Sequence, residues 1–145
     1  MNNQIDPSAK SILITISGTP VAKGRPKFAT RGKFVTAYTP KATKDAENVI
    51  SMEAKKQGVT AFSGPVELWI DFYMPIPKSA SKRERERLNN GPHIKRPDAD
   101  NLAKLVLDAL NGIEWKDDNQ VFKLSIEKLY SDNPRTEIFI KEWEA

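Results

Sequence analysis

The sequence predicts a single α+β domain with a mixed β-sheet and two main helices. Residues 11–17 and 66–74 are rich in β-branched and aromatic side chains, which favours strands. The segment after Pro97 repeats apolar residues at helical spacing instead. At 145 residues the chain fits one domain, and it contains neither an internal repeat nor a linker that would indicate a second. We therefore assign residues 1–145 to one domain, with a flexible N-terminus at 1–10.

The first half of the chain predicts a strand, a basic loop and a helix. Residues 11–17 are largely apolar, so we expect them inside the sheet. Residues 20–33 form a basic loop or an irregular hairpin that returns through residues 34–36. Thr39 and Pro40 are typical of a helix N-cap and first turn, and the helix should continue to Gly58. Its expected apolar side comprises Ala42, Ala46, Val49, Ile50 and Met52.

The second half predicts a strand, a helix and two closing strands. In residues 66–74, apolar side chains alternate with mixed ones, which indicates one core-directed face. The helix after Pro97 should end at Asn111-Gly112, and strands are expected at 121–130 and 136–143. The buried stripe of this helix should comprise Leu102, Leu105, Val106, Ala109 and Leu110.

Residues 78–96 contain few apolar side chains, and we interpret them as a polar basic loop. Two alternatives stay open for this segment. It could hold a short helix at 81–88, or it could be a mobile basic arm that becomes ordered on a ligand.

The composition excludes several kinds of chemistry. With no cysteine, the chain can form no disulfide framework, thiolate zinc site or cysteine nucleophile. The one histidine, His93, lies in a polar loop and is expected to be exposed, which argues against a Ser-His-Asp triad. No apolar run is long enough to span a membrane, and no signal peptide is evident, so we expect a soluble cytoplasmic protein. A net charge of +4 is compatible with an acidic partner.

The acidic residues around the second helix predict a divalent metal site. Asp98 and Asp100 are two apart in an extended approach to the helix, so their side chains can point the same way. Asp117 and Asp118 follow the helix and could return to that pair. Carboxylate oxygens with open water positions suit Mg²⁺ or Mn²⁺, which use those waters to bind phosphate groups.

Each of these residues also has a purely structural interpretation. Asp98 or Asp100 could cap the helix, and Asp117 and Asp118 could be turn residues before a strand. Lys104 could be a solvated helix-face lysine, with Asp108 as its i+4 ion-pair partner.

The basic residues near the acids predict a DNA-binding surface, because lysine and arginine neutralise backbone phosphates. Residues 23–33 contain several basic side chains and no acid, and two more precede Asp98. Phe28 could stack at a strand crossing or pack locally in its loop. The predicted DNA-binding residues are Lys23, Arg25, Lys27, Arg31, Lys33, Lys95 and Arg96.

The string PDADNLAKLVLDALNGIEWKDDNQV resembles the RusA family of Holliday-junction resolvases. It matches the family's Asp-x-Asp-Asn-Leu-x-Lys helix start, Asp-Ala-Leu helix end and Trp-x-Asp-Asp turn. The earlier segments KGRPKF and YTPKAT are also similar to family signatures. The turn before Trp115 is about one residue shorter than in the best-known member of the family, which affects the alignment of Asp117 and Asp118.

The resemblance implies a homodimeric, Mg²⁺-dependent endodeoxyribonuclease that cuts four-way DNA with paired, symmetric nicks in recombination and repair. It implies Asp98, Asp100 and Asp118 as metal ligands, Lys104 as a catalytic residue and Asp117 as a reserve ligand. A non-catalytic branched-nucleic-acid-binding module, or a metal-dependent nuclease of flaps or forks, remain alternatives.

Overall fold

A computed structural model describes residues 10–24, 27–38, 40–57 and 61–145, so the predicted flexible N-terminus lies almost wholly outside it. The helices are α1 at Lys41–Lys56, α2 at Lys82–Leu88 and α3 at Ala99–Leu110. The strands are β1 at Ser11–Ser17, β2 at Lys27–Arg31, β3 at Phe34–Tyr38, β4 at Val66–Pro75, β5 at Val121–Ser131 and β6 at Arg135–Glu142. These elements confirm the α+β class.

The main sheet has four strands in the order β1-β6-β4-β5. β4 and β5 are parallel, whereas the other pairs are antiparallel, which confirms the predicted mixed sheet. A parallel pair needs a long crossover, and α2 and α3 lie in the connection between β4 and β5. β2 and β3 form a separate antiparallel hairpin.

The core lies between the sheet and helices α1 and α3. α3 buries every residue of its predicted stripe, and Asn111 caps its end before Gly112 turns the chain at φ 80°. α1 is fastened to α3 by a hydrogen bond in which the Ser51 hydroxyl donates to the Ala109 carbonyl at 2.9 Å. The predicted strands of the second half are confirmed, and β4 alternates buried and half-buried residues along its length.

Three expectations from the sequence about the secondary-structure elements are wrong. β1 lies at the edge of the sheet, and Leu13 on its outer face is 55% exposed. Ile50 is buried on α1 as predicted, but the helix leaves Ala42, Val49 and Met52 exposed and also buries Thr43 and Ala54. The helix begins at Lys41 with Pro40 as its N-cap, whereas Thr39 and Gly58 lie outside the described residues.

The third wrong expectation concerns residues 78–96, because part of this segment is a helix rather than a loop. α2 forms where the Ser81 hydroxyl accepts a hydrogen bond from the Glu84 N–H at 3.2 Å. This N-cap satisfies a backbone donor at the helix start. The alternative of a short helix is therefore confirmed.

Glu114 is a carboxyl group enclosed by the core, with 1% of its surface exposed. Its Oε2 atom finds no hydrogen-bond partner within the described part of the chain. Burial raises the pKa of the Glu114 carboxyl above its ordinary value of 4.5, although the charge of Lys10 partly opposes this. The folded protein therefore holds this proton more tightly than the unfolded chain does.

We expect Glu114→Gln to flatten the pH dependence of stability. The native contribution of Glu114 is greatest when it is protonated, and it is lost as pH rises from 4.5 through the raised folded-state pKa. Urea unfolding between pH 4 and 8 measures the free energy of unfolding of both proteins. Equal pH slopes for wild type and Glu114→Gln would contradict the assignment.

Candidate metal and DNA-binding site

Asp98 and Asp100 stand at the start of α3, with Lys104 further along its exposed side. Asp98 is the N-cap residue in extended conformation, but its side chain makes no capping hydrogen bond. Asp100 lies in the first turn, and all three side chains are exposed. The helix cap therefore does not occupy the carboxylate of Asp98. Asp98 and Asp100 both lie at the N-terminal end of α3, where the helix dipole is positive.

Lys128 on β5 holds the chain that leads into α3. Its ammonium donates to the carbonyl of Lys95 and, at 2.7 Å, to the carbonyl of Pro97. The same stretch pairs with the edge of β5, since the His93 N–H donates to the Lys128 carbonyl at 2.9 Å. The position of Asp98 is thus set by a lysine that the sequence interpretation did not single out, because the two are 30 residues apart in sequence.

His93 is half-buried, whereas the sequence led us to expect it exposed. Its ring lies edge-on to Tyr130, with 4.7 Å between the ring centroids. Burial lowers the pKa of His93 below 6.5, and the charges of Lys128 and Lys95 lower it further. The imidazole is therefore neutral at neutral pH.

Asp117 and Asp118 have different surroundings. The Asp117 carboxylate accepts from the Asn119 N–H at 3.0 Å, and the Gln120 side chain accepts in return from the Asp117 N–H at 3.2 Å. This capping box starts a short 3₁₀ helix at Asp118–Gln120. Asp117 is exposed and acts as a turn residue, in agreement with its structural interpretation.

Asp118 is half-buried, and its Oδ1 accepts a hydrogen bond from the indole Nε1 of Trp115 at 2.7 Å. Trp115 is itself fully buried, so this donor is fixed in position. The Gln120 side chain donates to the carbonyls of Phe62 and Gly64, which ties the turn to the entry of β4. The sequence interpretation included Trp115 in the Trp-x-Asp-Asp turn but gave it no role, and it did not single out Gln120.

The predicted ligands form two groups in one chain rather than a single cluster. α3 runs between them for 12 residues, a length of about 18 Å at 1.5 Å per residue. Asp98 lies near the Lys128 end of β5, whereas Asp118 immediately precedes the first residue of that strand. Throughout the described ranges, no three acidic or histidine side chains gather where they could hold a metal ion.

Lys23, one of the basic residues of the predicted DNA-binding surface, is already paired with two carboxylates. The Lys23 ammonium binds Glu47 at 2.7 Å and Asp108 at 2.8 Å. Burial lowers the pKa of Lys23, but hydrogen bonds and charge from Asp108 and Glu47 outweigh this and raise it overall. Asp108 thus pairs with Lys23, and this bridge joins α1 to α3.

Next to this bridge, the Gly24 N–H donates to the Thr43 hydroxyl at 2.9 Å. A Cβ on Gly24 would lie 2.7 Å from that oxygen, so only glycine allows the contact. The basic segment is therefore anchored to α1 at its beginning.

The other basic residues of the predicted DNA-binding surface are in or next to the hairpin in the sequence, or directly precede α3. Arg25 lies outside the described residues, as do the side chains of Lys27 and Arg31 on β2. Lys33 is exposed at the hairpin turn, and Phe28 is 71% exposed rather than packed within a loop. Lys95 and Arg96 are exposed immediately before Asp98.

Fold and site together define a small α+β domain in which exposed acids and a lysine at a helix start adjoin basic residues. The family profile described as "Endodeoxyribonuclease RusA" matches residues 17–141. The chain therefore belongs to the RusA endodeoxyribonuclease family. It is also 39% identical over 140 residues to "Uncharacterized protein YqaN" of Bacillus subtilis (strain 168), which covers 92% of this chain and 98% of that protein.

Family membership implies endodeoxyribonuclease activity, a hydrolase reaction, on branched DNA junctions. No helix in the described ranges is both long and apolar enough to cross a membrane.

We expect Lys128→Met to loosen the segment before α3 while leaving the fold intact. Methionine keeps the aliphatic stem but removes the donor for the Lys95 and Pro97 carbonyls. Trypsin should then cleave after Lys95 several-fold faster, because proteolysis follows local opening. Lys141→Met on β6 serves as the control, and equal cleavage rates in the two variants would contradict this role for Lys128.

Proposed function

We propose that this protein is a homodimeric, Mg²⁺-dependent endonuclease that resolves four-way DNA junctions by paired, symmetric nicks. One observation carries the proposal: exposed carboxylates and basic side chains meet at the start of α3, inside the span that matches the family. Hydrolysis of a DNA phosphodiester needs carboxylates that bind a cation and basic side chains that bind the phosphates.

In this proposal Asp98 and Asp100 of one copy and Asp118 of the other supply the oxygen ligands for Mg²⁺ or Mn²⁺, because α3 separates the two groups within one chain. The bound metal would polarise the scissile phosphate and lower the pKa of an attacking water. Asp117 is the weaker candidate, because the resemblance matches it only as a reserve ligand and its side chain caps the 3₁₀ helix. The Trp115 indole orients Asp118 through one oxygen, as outer hydrogen bonds commonly do for metal ligands.

Lys104 has an electrostatic role in the proposal. Its side chain is exposed on α3, one turn beyond Asp100 and on the same side of the helix. An ammonium there can stabilise the negative charge that develops on the phosphate during hydrolysis.

DNA binding in the proposal depends mainly on Lys33, Lys95 and Arg96, together with Arg25, Lys27 and Arg31. Lys23 makes a smaller contribution, because two carboxylates already neutralise its ammonium. The exposed ring of Phe28 would contact bases at the branch point.

The central test is cleavage of a labelled four-way junction in Mg²⁺ by Asp118→Asn and Asp117→Asn. Asparagine keeps an Oδ1 acceptor for Trp115, so Asp118→Asn should fold normally. Loss of a hydrogen-bond partner of a metal ligand typically lowers activity by roughly 10–100-fold. Loss of the ligand itself in Asp118→Asn should lower the cleavage rate further, while junction binding persists. Asp117→Asn should cut at close to the wild-type rate.

Normal cutting by Asp118→Asn would contradict the ligand assignment. Wild-type protein that cuts flaps or forks in preference to four-way junctions would support the other nuclease class. Binding without any cleavage in Mg²⁺ or Mn²⁺ would support a non-catalytic module.

The double variant Lys95→Ala/Arg96→Ala should bind junctions more weakly and with less dependence on salt. Each lost phosphate contact should reduce the slope of log K against log salt by about 0.9. Fluorescence anisotropy between 50 and 200 mM salt measures that slope, with Lys141→Ala as a matched control. An unchanged slope would mean that these two residues do not contact DNA phosphates.

A further inference from the structure

Ile94 is an apolar side chain that projects into solvent close to the proposed metal ligands in sequence. It is 89% exposed, which is the highest value among the large apolar residues that the structure describes. Single exposed apolar residues are ordinary on protein surfaces. The position of Ile94 is what calls for an explanation, because the residue directly precedes the exposed Lys95 and Arg96 and stands four places before Asp98.

The backbone on both sides of Ile94 is fixed to β5. Before it, the N–H of the half-buried His93 donates to the Lys128 carbonyl. After it, the Lys128 ammonium donates to the carbonyls of Lys95 and Pro97. Isoleucine is also branched at Cβ, so its χ1 angle is restricted. A stiff apolar group on a fixed backbone loses little conformational entropy when it enters a binding partner.

The sequence distance to Asp98 limits where this side chain can act. Four residues span at most roughly 14 Å when fully extended, so Ile94 lies within that distance of Asp98. Successive bases of one DNA strand are about 3.4 Å apart along the helix axis. Ile94 is therefore within roughly four base steps of the phosphate that the metal site would hydrolyse.

Lys95 and Arg96 indicate which partner receives the apolar side chain. Two adjacent cations favour a polyanion over an apolar protein surface, and they would bind backbone phosphates beside Ile94. Proteins that kink DNA insert isoleucine, leucine or phenylalanine between base pairs, which partly unstacks one step. The segment 94–96 combines both features on a fixed backbone.

We infer that Ile94 is a wedge that inserts between base pairs close to the cleavage point and opens the stack there. The inference rests on the proposed function, and it adds a DNA-contacting residue rather than a metal ligand. It is distinct from the role given to Phe28, which lies on the hairpin and would contact bases at the branch point. By unstacking one step, Ile94 would let the scissile phosphate reach the metal site.

The inference is tested with Ile94→Ser, which removes the wedge at an exposed position and should leave the fold unchanged. Cleavage of a fully paired four-way junction in Mg²⁺ should fall by roughly tenfold or more, because the insertion no longer offsets the cost of unstacking. Ile94→Leu should keep most of the wild-type rate. Leu13→Ser on β1, also an exposed apolar position, is the matched control and should cut like wild type.

A mismatch distinguishes a wedge from a general DNA contact. A junction with one mismatched pair within about four steps of the cut has a weakened stack, and unstacking costs least at such a pair. Ile94→Ser should therefore regain most of the wild-type rate on this junction, whereas Lys95→Ala/Arg96→Ala should not. Equal losses by Ile94→Ser on paired and mismatched junctions would overturn the inference.

Unstacking by Ile94 can also be measured without cleavage. The fluorescent base analogue 2-aminopurine brightens when its stacking is lost. A junction that carries it close to the cut should therefore brighten when wild-type protein binds in EDTA, which prevents metal-dependent cutting. At saturating protein the signal should be weaker with Ile94→Ser, and equal signals from the two proteins would contradict the wedge.

These outcomes separate the wedge from the proposed function. Wild-type protein that brightens the junction through Ile94 but never cuts it would reject the proposed function and leave the wedge standing. Ile94→Ser protein that cuts paired junctions as fast as wild type would overturn the wedge and leave the proposed function standing. If Ile94→Ser sediments as a monomer where wild type is a dimer, Ile94 belongs to the contact between copies, and the wedge is overturned.

Discussion

The burial of α3 against the sheet is the constraint on which the rest of the structure depends. Its stripe is almost wholly inaccessible to water, and each fully buried leucine or valine contributes about 1.5–3 kcal/mol. The stripe fixes the rotation of the helix, so Asp100 and Lys104 must lie on the exposed side. It also fixes both helix ends, where Asp98 and the turn of Asp118 are found.

Polar anchors then convert the position of the helix into positions of functional groups. Lys128 binds the carbonyls before α3, and Gln120 binds the carbonyls before β4. Trp115 connects the core to the candidate site, because its ring is buried in the core while its indole N–H donates a hydrogen bond to Asp118. None of these three is a predicted ligand, yet each determines where a ligand lies.

Sequence periodicity was sufficient for elements whose burial is strongly patterned. The stripe of α3 and the alternation of β4 were predicted residue by residue. β1 was misplaced because an apolar strand of that length has the same composition at an edge or in the interior. α1 was only partly predicted, since Val49 and Met52 fit an apolar face that the sheet does not cover.

The candidate site was predictable as a set of residue types but not as a geometry. Local spacing and the family resemblance predicted the aspartates, Lys104 and the basic residues that precede Asp98. The pairing of Lys23 with Glu47 and Asp108 joins three separate segments, so no local pattern could reveal it. For the same reason, the sequence did not show that α3 separates Asp98 from Asp118.

That separation has a physical consequence if the ligands are shared between copies. A ligand that binds only the assembled form stabilises it by mass action, so metal binding and dimerisation would strengthen each other. A lone chain would hold carboxylates near DNA without a complete ligand set, and would bind the backbone without cutting it. Two sites related by a two-fold axis would be completed by the same pairing, which fits a substrate whose two opposed strands must both be cut.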